Sequence, residues 1–249
     1  MKKDTLLNLV KMKFGIDDNT AAAFIMAGNV LVNERVSTKR GILIDKNSDI
    51  RMKEQKEYVS RGAYKLLDAY ESFNLDFKDK ICMDAGSSTG GFTQVLLLKG
   101  AKKVYAIDCG TNQLDFSLRK NPKVEVFENT NIKNIKQNDI DEKPDVIVMD
   151  LSFTSSAGHV IQLKKEFDPA EMVILLKPQF EYDGLKPVLG LSKDFDGIVK
   201  DDTERKKIIE YVLDEFKNNG LFIAGCRECS VKGTKGNIEY LVYIRDPDD

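Results

Sequence analysis

A single stretch near position 85 constrains the fold of this chain more than any other. An apolar run that ends in Asp84 is followed by the small-residue segment Ala85–Gly91 and then by the apolar segment Phe92–Leu97. This order is typical of a buried strand, a tight turn and the first turns of a helix. Small side chains let a ligand approach the backbone, and the first amide groups of a helix are free to bind it. The stretch therefore predicts an α/β protein with a ligand at the end of this strand.

The composition of the turn narrows the kind of ligand. It contains no lysine of the phosphate-binding P-loop type, and it does not form a clean Gly-x-Gly-x-x-Gly, so a pyrophosphate is not indicated. A small-residue loop that begins with an acid suits S-adenosylmethionine better, because the bulk of that molecule is an adenosyl group and its amino-acid end carries an ammonium. The predicted contacts of this cofactor in the loop are Asp84, Gly86, Ser88, Gly90, Gly91 and Phe92.

Strand-like and helix-like segments alternate from Tyr58 to the end of the chain. This alternation predicts a Rossmann-like α/β domain with a seven-stranded, mostly parallel sheet covered on both faces. The predicted strands are 80–84, 103–108, 124–128, 145–150, 172–176, 221–227 and 238–244. The predicted helices are 63–73, 92–99, 113–120, 155–165 and 203–218.

One polar residue ends the second predicted strand, and another follows the third. Asp108 comes 24 residues after Asp84, where an acid in a doubly wound sheet commonly accepts hydrogen bonds from ribose hydroxyls. A solvent-exposed aspartate at a strand end is the alternative. Asn131 follows the third strand, where it is predicted to meet the adenine side of the pocket or to form an ordinary turn.

Charged residues also follow the fourth and fifth predicted strands. Asp150 ends the fourth strand and Lys177 follows the fifth, so both are predicted to reach the cleft at the carboxyl ends of the strands. A lysine that leaves a buried strand beside an aspartate can orient a hydroxyl group and accept its proton. Taken alone, Lys177 would instead be a lysine that extends its ammonium from a strand end to solvent.

The first 55 residues form a different kind of module. Helical spacing near Leu6 and Val10, a second short helix that ends at Gly28, and two short strands predict a small α+β domain at 1–55. The polar segment Lys53–Glu57 is the predicted linker, and the α/β domain is predicted at 58–249. The chain has 38 basic and 40 acidic side chains and a net charge of -2, so a nucleic-acid surface would have to be local.

The sequence resembles a known family, the FtsJ-type RNA 2′-O-methyltransferases. The resemblance is strongest to their TlyA-type branch, often labelled hemolysin A. The resemblance is carried in family order by Tyr58–Leu66, by Asp84–Thr93, by Asp150–Phe153 with Leu176–Glu181, and by Lys232–Tyr240. It implies an S-adenosylmethionine-dependent methyltransferase whose Lys-Asp-Lys-Glu catalytic tetrad is Lys65, Asp150, Lys177 and Glu239.

The first module resembles the S4 RNA-binding domain, mainly over Ala21–Val36. The arginines that the family places in the first helix and at the start of the second are absent here, which leaves other basic residues as the predicted RNA contacts. These are Lys3, Lys11, Arg35, Lys39 and Arg40, together with Arg61 of the first matching stretch. Solvated surface lysines and arginines with no partner are the alternative.

The resemblance implies methylation of a ribose 2′-hydroxyl of ribosomal RNA, with cytidine as the expected nucleotide. The expected partner is ribosomal RNA or a ribosomal subunit, in the cytoplasm, with no metal ion, no membrane and no obligate protein partner. Two other functions stay open. They are a non-catalytic RNA-binding factor in ribosome assembly and, as the family label suggests, a membrane-active hemolysin. The lack of an apolar run of about 18 residues argues against the hemolysin.

Overall fold

The computed structural model describes residues 2–53, 57–192 and 194–247. The chain divides into two compact units, Met1–Glu57 and Tyr58–Asp249, and each is described by itself. The predicted linker falls mainly on residues 54–56, which lie outside the described residues.

The first unit combines two helices with short antiparallel strands. Strand β1 pairs with β4, and β2 pairs with both β3 and β5. The two predicted helices and the strands that become β2 and β5 are confirmed, whereas β1, β3 and β4 were not predicted because strands of two or three residues carry too little periodicity. The elements are β1 (Lys3–Thr5), α1 (Leu6–Phe14), α2 (Asp18–Met26), β2 (Val30–Val32), β3 (Arg35–Val36), β4 (Leu43–Asp45) and β5 (Ile50–Met52).

The apolar positions that predicted these helices form the core of the first unit. Leu6 and Val10 of α1 pack with Ile25 of α2 and Val30 of β2, and all four are fully buried. Helix α2 begins after Asp17, whose carboxylate accepts hydrogen bonds from two backbone amides of the first turn. Such a cap satisfies donors that have no partner inside the helix.

The second unit alternates strands and helices as predicted. Its helices are α3 (Gly62–Ser72), α4 (Gly91–Leu98), α5 (Phe116–Arg119), α6 (Ala157–Phe167), α7 (Pro178–Leu189) and α8 (Asp202–Asn218). Its strands are β6 (Ile81–Ala85), β7 (Lys103–Ile107), β8 (Val124–Phe127), β9 (Val146–Met149), β10 (Glu171–Leu176), β11 (Phe222–Glu228) and β12 (Tyr240–Arg245). Short 3₁₀ turns occur at Gln137–Asp139 and Thr234–Gly236.

These seven strands form one sheet in the order β11-β12-β10-β9-β6-β7-β8. The strands from β10 to β8 are parallel to their neighbours, whereas β12 runs antiparallel to both β10 and β11. The prediction of a seven-stranded, mostly parallel sheet is confirmed. Because β6 and β9 lie side by side in the middle, the loops that follow them meet at one edge of the sheet.

Side chains alternate between two apolar layers along each central strand. On β9, Ile147 and Met149 face the layer that includes α6 and α8, while Val146 and Val148 face the layer that includes α3 and α4. Both layers are buried, which explains why β9 is apolar at every position. Among the described residues, no helix combines the length and the apolar character needed to cross a membrane.

Candidate active site

The loop after β6 is shaped by a buried carboxylate. Asp84 is fully buried, and its Oδ2 accepts hydrogen bonds from the backbone amide and the hydroxyl of Thr93, at 2.8 and 2.6 Å. Asp84 Oδ1 has no hydrogen-bond partner among the described residues. The side chain thus ties the end of the strand to the first turn of α4 and holds the intervening loop in place.

Two positions of this loop require glycine, because neighbouring atoms lie too close to leave room for a Cβ. A Cβ on Gly86 would lie 2.6 Å from the backbone oxygen of Asp150, and the φ of Gly86 is +89°. A Cβ on Gly91 would lie 2.3 Å from Ser60 Oγ and 2.8 Å from the amide nitrogen of Ala63. Glycine therefore allows β6 and β9 to end against each other and allows α4 to begin against α3.

A cavity of about 480 Å³ lies beyond the ends of β6, β7 and β9. Asp108 lines it, and its two carboxylate oxygens accept hydrogen bonds from the amides of Ser88 (2.8 Å) and Gly110 (2.7 Å). The apolar side chains of Ile107 and Ile132 line the cavity as well. Its other lining residues include Gly86, Gln113, Thr130, Asn131, Lys133, Asp150, Leu151, Ser152, Phe153, Thr154 and His159.

The residues of this cavity fit an adenosyl group. The volume is in the range of small-molecule sites, a carboxylate stands at the end of β7 where ribose hydroxyls would need an acceptor, and apolar surface lies beside the Asn131 amide. The predicted cofactor residues Gly86, Ser88, Asp108 and Asn131 line this cavity. Their contact with the cofactor stays a prediction.

A second cavity, of about 360 Å³, adjoins the first. Four residues, Gly86, Ser88, Asp150 and Ser152, line both cavities. The remaining lining residues are Ser60, Arg61, Gly62, Lys65, Ser87, Thr89, Gly91, Phe92, Lys177, Lys232, Gly233 and Thr234. The predicted cofactor residues Gly91 and Phe92 thus line this second cavity, and Asp84 and Gly90 line neither.

An ion pair stands where the two cavities meet. Lys177 Nζ lies 2.5 Å from Asp150 Oδ1 and donates a hydrogen bond of 3.1 Å to Ser152 Oγ. Lys177 is only 7% exposed, and the ring of Phe180 lies 5.6 Å from its ammonium. The lysine caps α7 directly after β10, so the end of the sheet fixes the base of its side chain.

The other two residues of the predicted tetrad form a second ion pair. Lys65 Nζ donates a hydrogen bond of 2.6 Å to Glu239 Oε2, and Gln179 donates one of 3.2 Å to Glu239 Oε1. Glu239 is 2% exposed. The four residues come from α3, from the ends of β9 and β10, and from the start of β12, and three of them line the second cavity. The tetrad is therefore arranged as two pairs on one side of the sheet edge.

Burial shifts the pKa of two groups at the site. Removal from solvent raises the pKa of Asp84 from its ordinary value of 3.8 to about 7, the hydrogen bonds from Thr93 oppose this rise, and the charges of Asp150 and Asp108 add to it. His159, which lines the larger cavity, has a lowered pKa, chiefly because of burial.

The predicted RNA contacts lie in both units. In the first unit, Lys3, Arg35, Lys39 and Arg40 are exposed, whereas Lys11 is paired with Asp18. In the second unit, Arg61 is exposed, lines the 360 Å³ cavity and donates a hydrogen bond to the backbone oxygen of Lys232. RNA contact by any of these residues stays a prediction.

Sequence reasoning missed several residues of the site. Ser152 contacts Lys177, Gln113 accepts a hydrogen bond from Ser88, and the carboxylate of Glu181 accepts hydrogen bonds from the amide (2.7 Å) and hydroxyl (2.6 Å) of Ser156. Phe153 lines the larger cavity although it is 91% exposed and has a φ of +63°. An exposed phenylalanine in the left-handed region is uncommon, but nothing in a sequence shows the backbone angle.

Among the described residues, no cluster of three or more His, Cys, Asp or Glu side chains is suited to a metal ion.

Comparison with known proteins identifies relatives over nearly the whole chain. The family model described as FtsJ-like methyltransferase matches residues 58–246. A protein named Hemolysin A from Brachyspira hyodysenteriae is 40% identical over 226 residues, which cover 90% of this chain and 92% of that protein. The 16S/23S rRNA (cytidine-2′-O)-methyltransferase TlyA of Mycobacterium tuberculosis is 34% identical over 244 residues, which cover 97% of this chain and 89% of that protein.

Solved structures show the same relationship. A protein from Streptococcus thermophilus, which also carries a hemolysin label, is 33% identical and superimposes with a TM-score of 0.71. The match covers 100% of this chain and 90% of that one.

Proposed function

This chain belongs to the FtsJ-like methyltransferase family, and from that premise we propose that it methylates a ribose 2′-hydroxyl of ribosomal RNA. The observation that carries the proposal is the Lys177–Asp150 pair, which stands where two adjoining cavities share their walls. Such an arrangement lets a cofactor in one cavity and a nucleotide in the other present their reacting atoms to the same lysine.

The cofactor of the proposed reaction is S-adenosylmethionine, which supplies an electrophilic methyl group on a sulfonium. Asp108 and Asn131 would hold its adenosine portion in the larger cavity, as acceptors for the ribose hydroxyls and partners for the base. Gly86 and Ser88 would bring the backbone against it at the boundary between the cavities. Held by these residues, the cofactor would supply its methyl group near the boundary of the two cavities, where the Lys177–Asp150 pair lies.

Methyl transfer needs alignment and the removal of one proton. When bound, the cofactor would supply the methyl group, and Lys177 Nζ would hold the ribose 2′-hydroxyl in line with it and accept the hydroxyl proton on its lone pair. Asp150 holds Nζ in position and stabilises the positive charge that develops on it. Because no water or phosphate takes part, the residues act mainly by holding the reacting atoms in line.

The second ion pair would serve substrate binding. Lys65 reaches the 360 Å³ cavity from α3 while Glu239 holds its ammonium. In this position the ammonium can bind a phosphate or a ribose oxygen of the RNA. Arg61 and Lys232 add positive charge at the same cavity.

Ribosomal RNA is the substrate because relatives at 34% identity act on it, and the match covers 97% of the chain. We extend the cytidine specificity that is named for that relative to this chain. The first unit, with its exposed Arg35, Lys39 and Arg40, would act as an S4-like RNA-binding domain. We propose the cytoplasm as the location of the enzyme, because ribosomal subunits are its proposed substrate.

The test is a methyl-transfer assay with defined acceptors. Purified protein is incubated with radiolabelled S-adenosylmethionine and separately with 30S subunits, 50S subunits and free rRNA from cells that lack this gene. Label in RNA, mapped to one nucleotide by primer extension that is sensitive to ribose methylation, would establish the reaction and identify the acceptor. Lys177→Ala should abolish this label and keep cofactor binding, whereas Lys206→Ala, an exposed control on α8, should behave as the wild type.

The outcomes separate the competing functions. Cofactor binding without label in any RNA fraction would contradict the proposal for ribosomal RNA. The absence of cofactor binding would favour a non-catalytic RNA-binding factor. Leakage from lipid vesicles, measured in parallel with the same preparation, would support the membrane activity that the hemolysin label of the relatives suggests.

A further inference from the structure

Lys177 has a second polar partner, Ser152, which the predicted tetrad does not include. Ser152 Oγ lies 3.1 Å from Lys177 Nζ, on the loop that leaves β9 two residues after Asp150. Ser152 is exposed, and it is one of the four residues that line both cavities. It therefore stands at the place where the reaction is proposed to occur.

An unprotonated lysine amine has two N–H donors and one lone pair in a roughly tetrahedral arrangement. The ion pair with Asp150 at 2.5 Å keeps Nζ close to the carboxylate, but Asp150 Oδ1 accepts no hydrogen bond among the described residues, so this contact alone leaves the amine free to rotate. The hydrogen bond to Ser152 engages one N–H donor and restricts this rotation. With that donor held beside the carboxylate, the direction of the lone pair is restricted.

We propose that Ser152 is a positioning residue that aims the lone pair of Lys177 at the ribose 2′-hydroxyl. The inference rests on the proposed methyl transfer and adds to it the residue that orients the base. A misdirected base is costly, because catalysis of this kind depends on the alignment of the reacting atoms. The serine hydroxyl itself neither gains nor loses a proton in the reaction.

The rest of the loop supports a fixed position for Ser152. Glu181 of α7 is 4% exposed, and its carboxylate accepts two hydrogen bonds from Ser156, at the far end of the same loop. At the near end, Leu151 packs against the apolar core. Because the loop is held on both sides of Ser152, its hydroxyl can act as a fixed acceptor.

Steady-state methyl transfer by three variants tests this role, with the ribosomal acceptor that the wild type labels. Ser152→Ala should lower kcat by about 10- to 100-fold and leave the KM for RNA and the Kd for S-adenosylmethionine, measured by calorimetry, within about twofold. Ser152→Thr keeps the hydroxyl and should regain most of the rate, since the exposed position has room for a methyl group. Ser155→Ala, on the same loop but outside both cavities, should match the wild type.

Three results would overturn the inference while the wild type is active. They are an unchanged kcat in Ser152→Ala, a loss of cofactor affinity as large as the loss of rate, and a Ser152→Thr variant as slow as Ser152→Ala. The second result would make Ser152 a cofactor contact. An inactive wild type that binds the cofactor would instead overturn the proposed function, and the inference with it.

Discussion

Lys65 and Glu239 lie 174 residues apart in the sequence, and their side chains meet in a hydrogen bond of 2.6 Å. The pair joins α3, at the start of the second unit, to β12, which is its last strand. Little water reaches it, because the two side chains are 12% and 3% exposed. Removal of one partner from a buried ion pair leaves an uncompensated charge, so the geometry around Glu239 should matter for both stability and catalysis.

Gly233→Ala should displace Glu239 although the substitution replaces no charged residue. A Cβ at position 233 would lie 2.0 Å from Glu239 Oε1 and 2.5 Å from its Cδ. Glu239 would have to move away from Lys65, so we expect kcat to fall by about 10- to 100-fold. We expect the free energy of unfolding, measured by urea denaturation, to fall by about 1–3 kcal/mol.

Gly184→Ala is the matched control for this variant. Gly184 lies within α7, and a Cβ there would have no neighbour within 4 Å. Replacement of glycine by alanine in a helix should raise the free energy of unfolding by about 0.5–1 kcal/mol and leave methyl transfer unchanged. Full activity in Gly233→Ala would show that the Lys65–Glu239 contact is not needed for the reaction.

Glu181→Ala should weaken the loop that carries Phe153 and Thr154, which line the 480 Å³ cavity. Two donors on Ser156, at the start of α6, would lose their buried carboxylate partner, at a cost of about 2–4 kcal/mol in the free energy of unfolding. Because Phe153 and Thr154 of this loop line the larger cavity, the Kd for S-adenosylmethionine should rise about tenfold.

Two further variants give this prediction its controls. Glu181→Gln keeps an oxygen acceptor and should lose less stability than Glu181→Ala. Asp183→Ala, exposed on the same helix, should stay within about 0.5 kcal/mol of the wild type. Unchanged cofactor affinity in a destabilised Glu181→Ala would confine the role of Glu181 to folding.

Asp84 should make the stability of the second unit depend on pH. Its pKa rises from 3.8 to about 7 on folding, so between these values the folded chain holds a proton that the unfolded chain has released. Stability contributed by this group is therefore full below pH 4 and is lost as the pH rises to about 7, by roughly 4 kcal/mol in total.

Asp84→Asn should remove this dependence, since the amide oxygen can still accept the hydrogen bonds from Thr93 and the side chain does not titrate. The measurement is the free energy of unfolding of both proteins at several pH values from 4 to 8. The stability of the wild type relative to the variant should fall across the lower part of this range and level off above about pH 7. A constant difference would mean that Asp84 titrates alike in the folded and unfolded chains.

Much of the second unit could be predicted because strand-like apolar runs alternate with helix-like segments along its sequence. The loop from Asp84 to Phe92 and the strands that run up to Asp108, Asp150 and Lys177 follow from apolar runs bounded by polar residues. Helix α7 was not predicted, because the segment after Lys177 begins with proline and contains a second proline, Pro187, that favours a break. The helix tolerates the first proline at its N-terminal position, where no hydrogen bond is lost.

The pairing of the site residues could not be predicted from local patterns. Lys65 and Glu239 were assigned by resemblance, and nothing in the sequence between them shows that β12 is inserted antiparallel beside β10. That insertion brings Glu239 back to the end of the sheet where Lys177 lies. The hydrogen bond between Ser152 and Lys177 depends in the same way on a loop conformation that small polar residues do not specify.

The exposed basic residues of the first unit offer a test of RNA binding. Lys39 and Arg40 lie in the loop between β3 and β4 and are exposed. If both residues contact phosphates, the double variant Lys39→Ala with Arg40→Ala should bind an rRNA fragment more weakly. The magnitude of the slope of log K against log salt should fall by about 1.4, because binding with two fewer phosphate contacts releases fewer counterions. Filter binding at several salt concentrations gives this slope.

A second pair, Lys206→Ala with Lys217→Ala on α8, removes the same charge from another exposed surface and should change the slope less. Equal slopes for the two double variants would mean that net charge alone, rather than a phosphate contact by the first unit, sets the salt dependence.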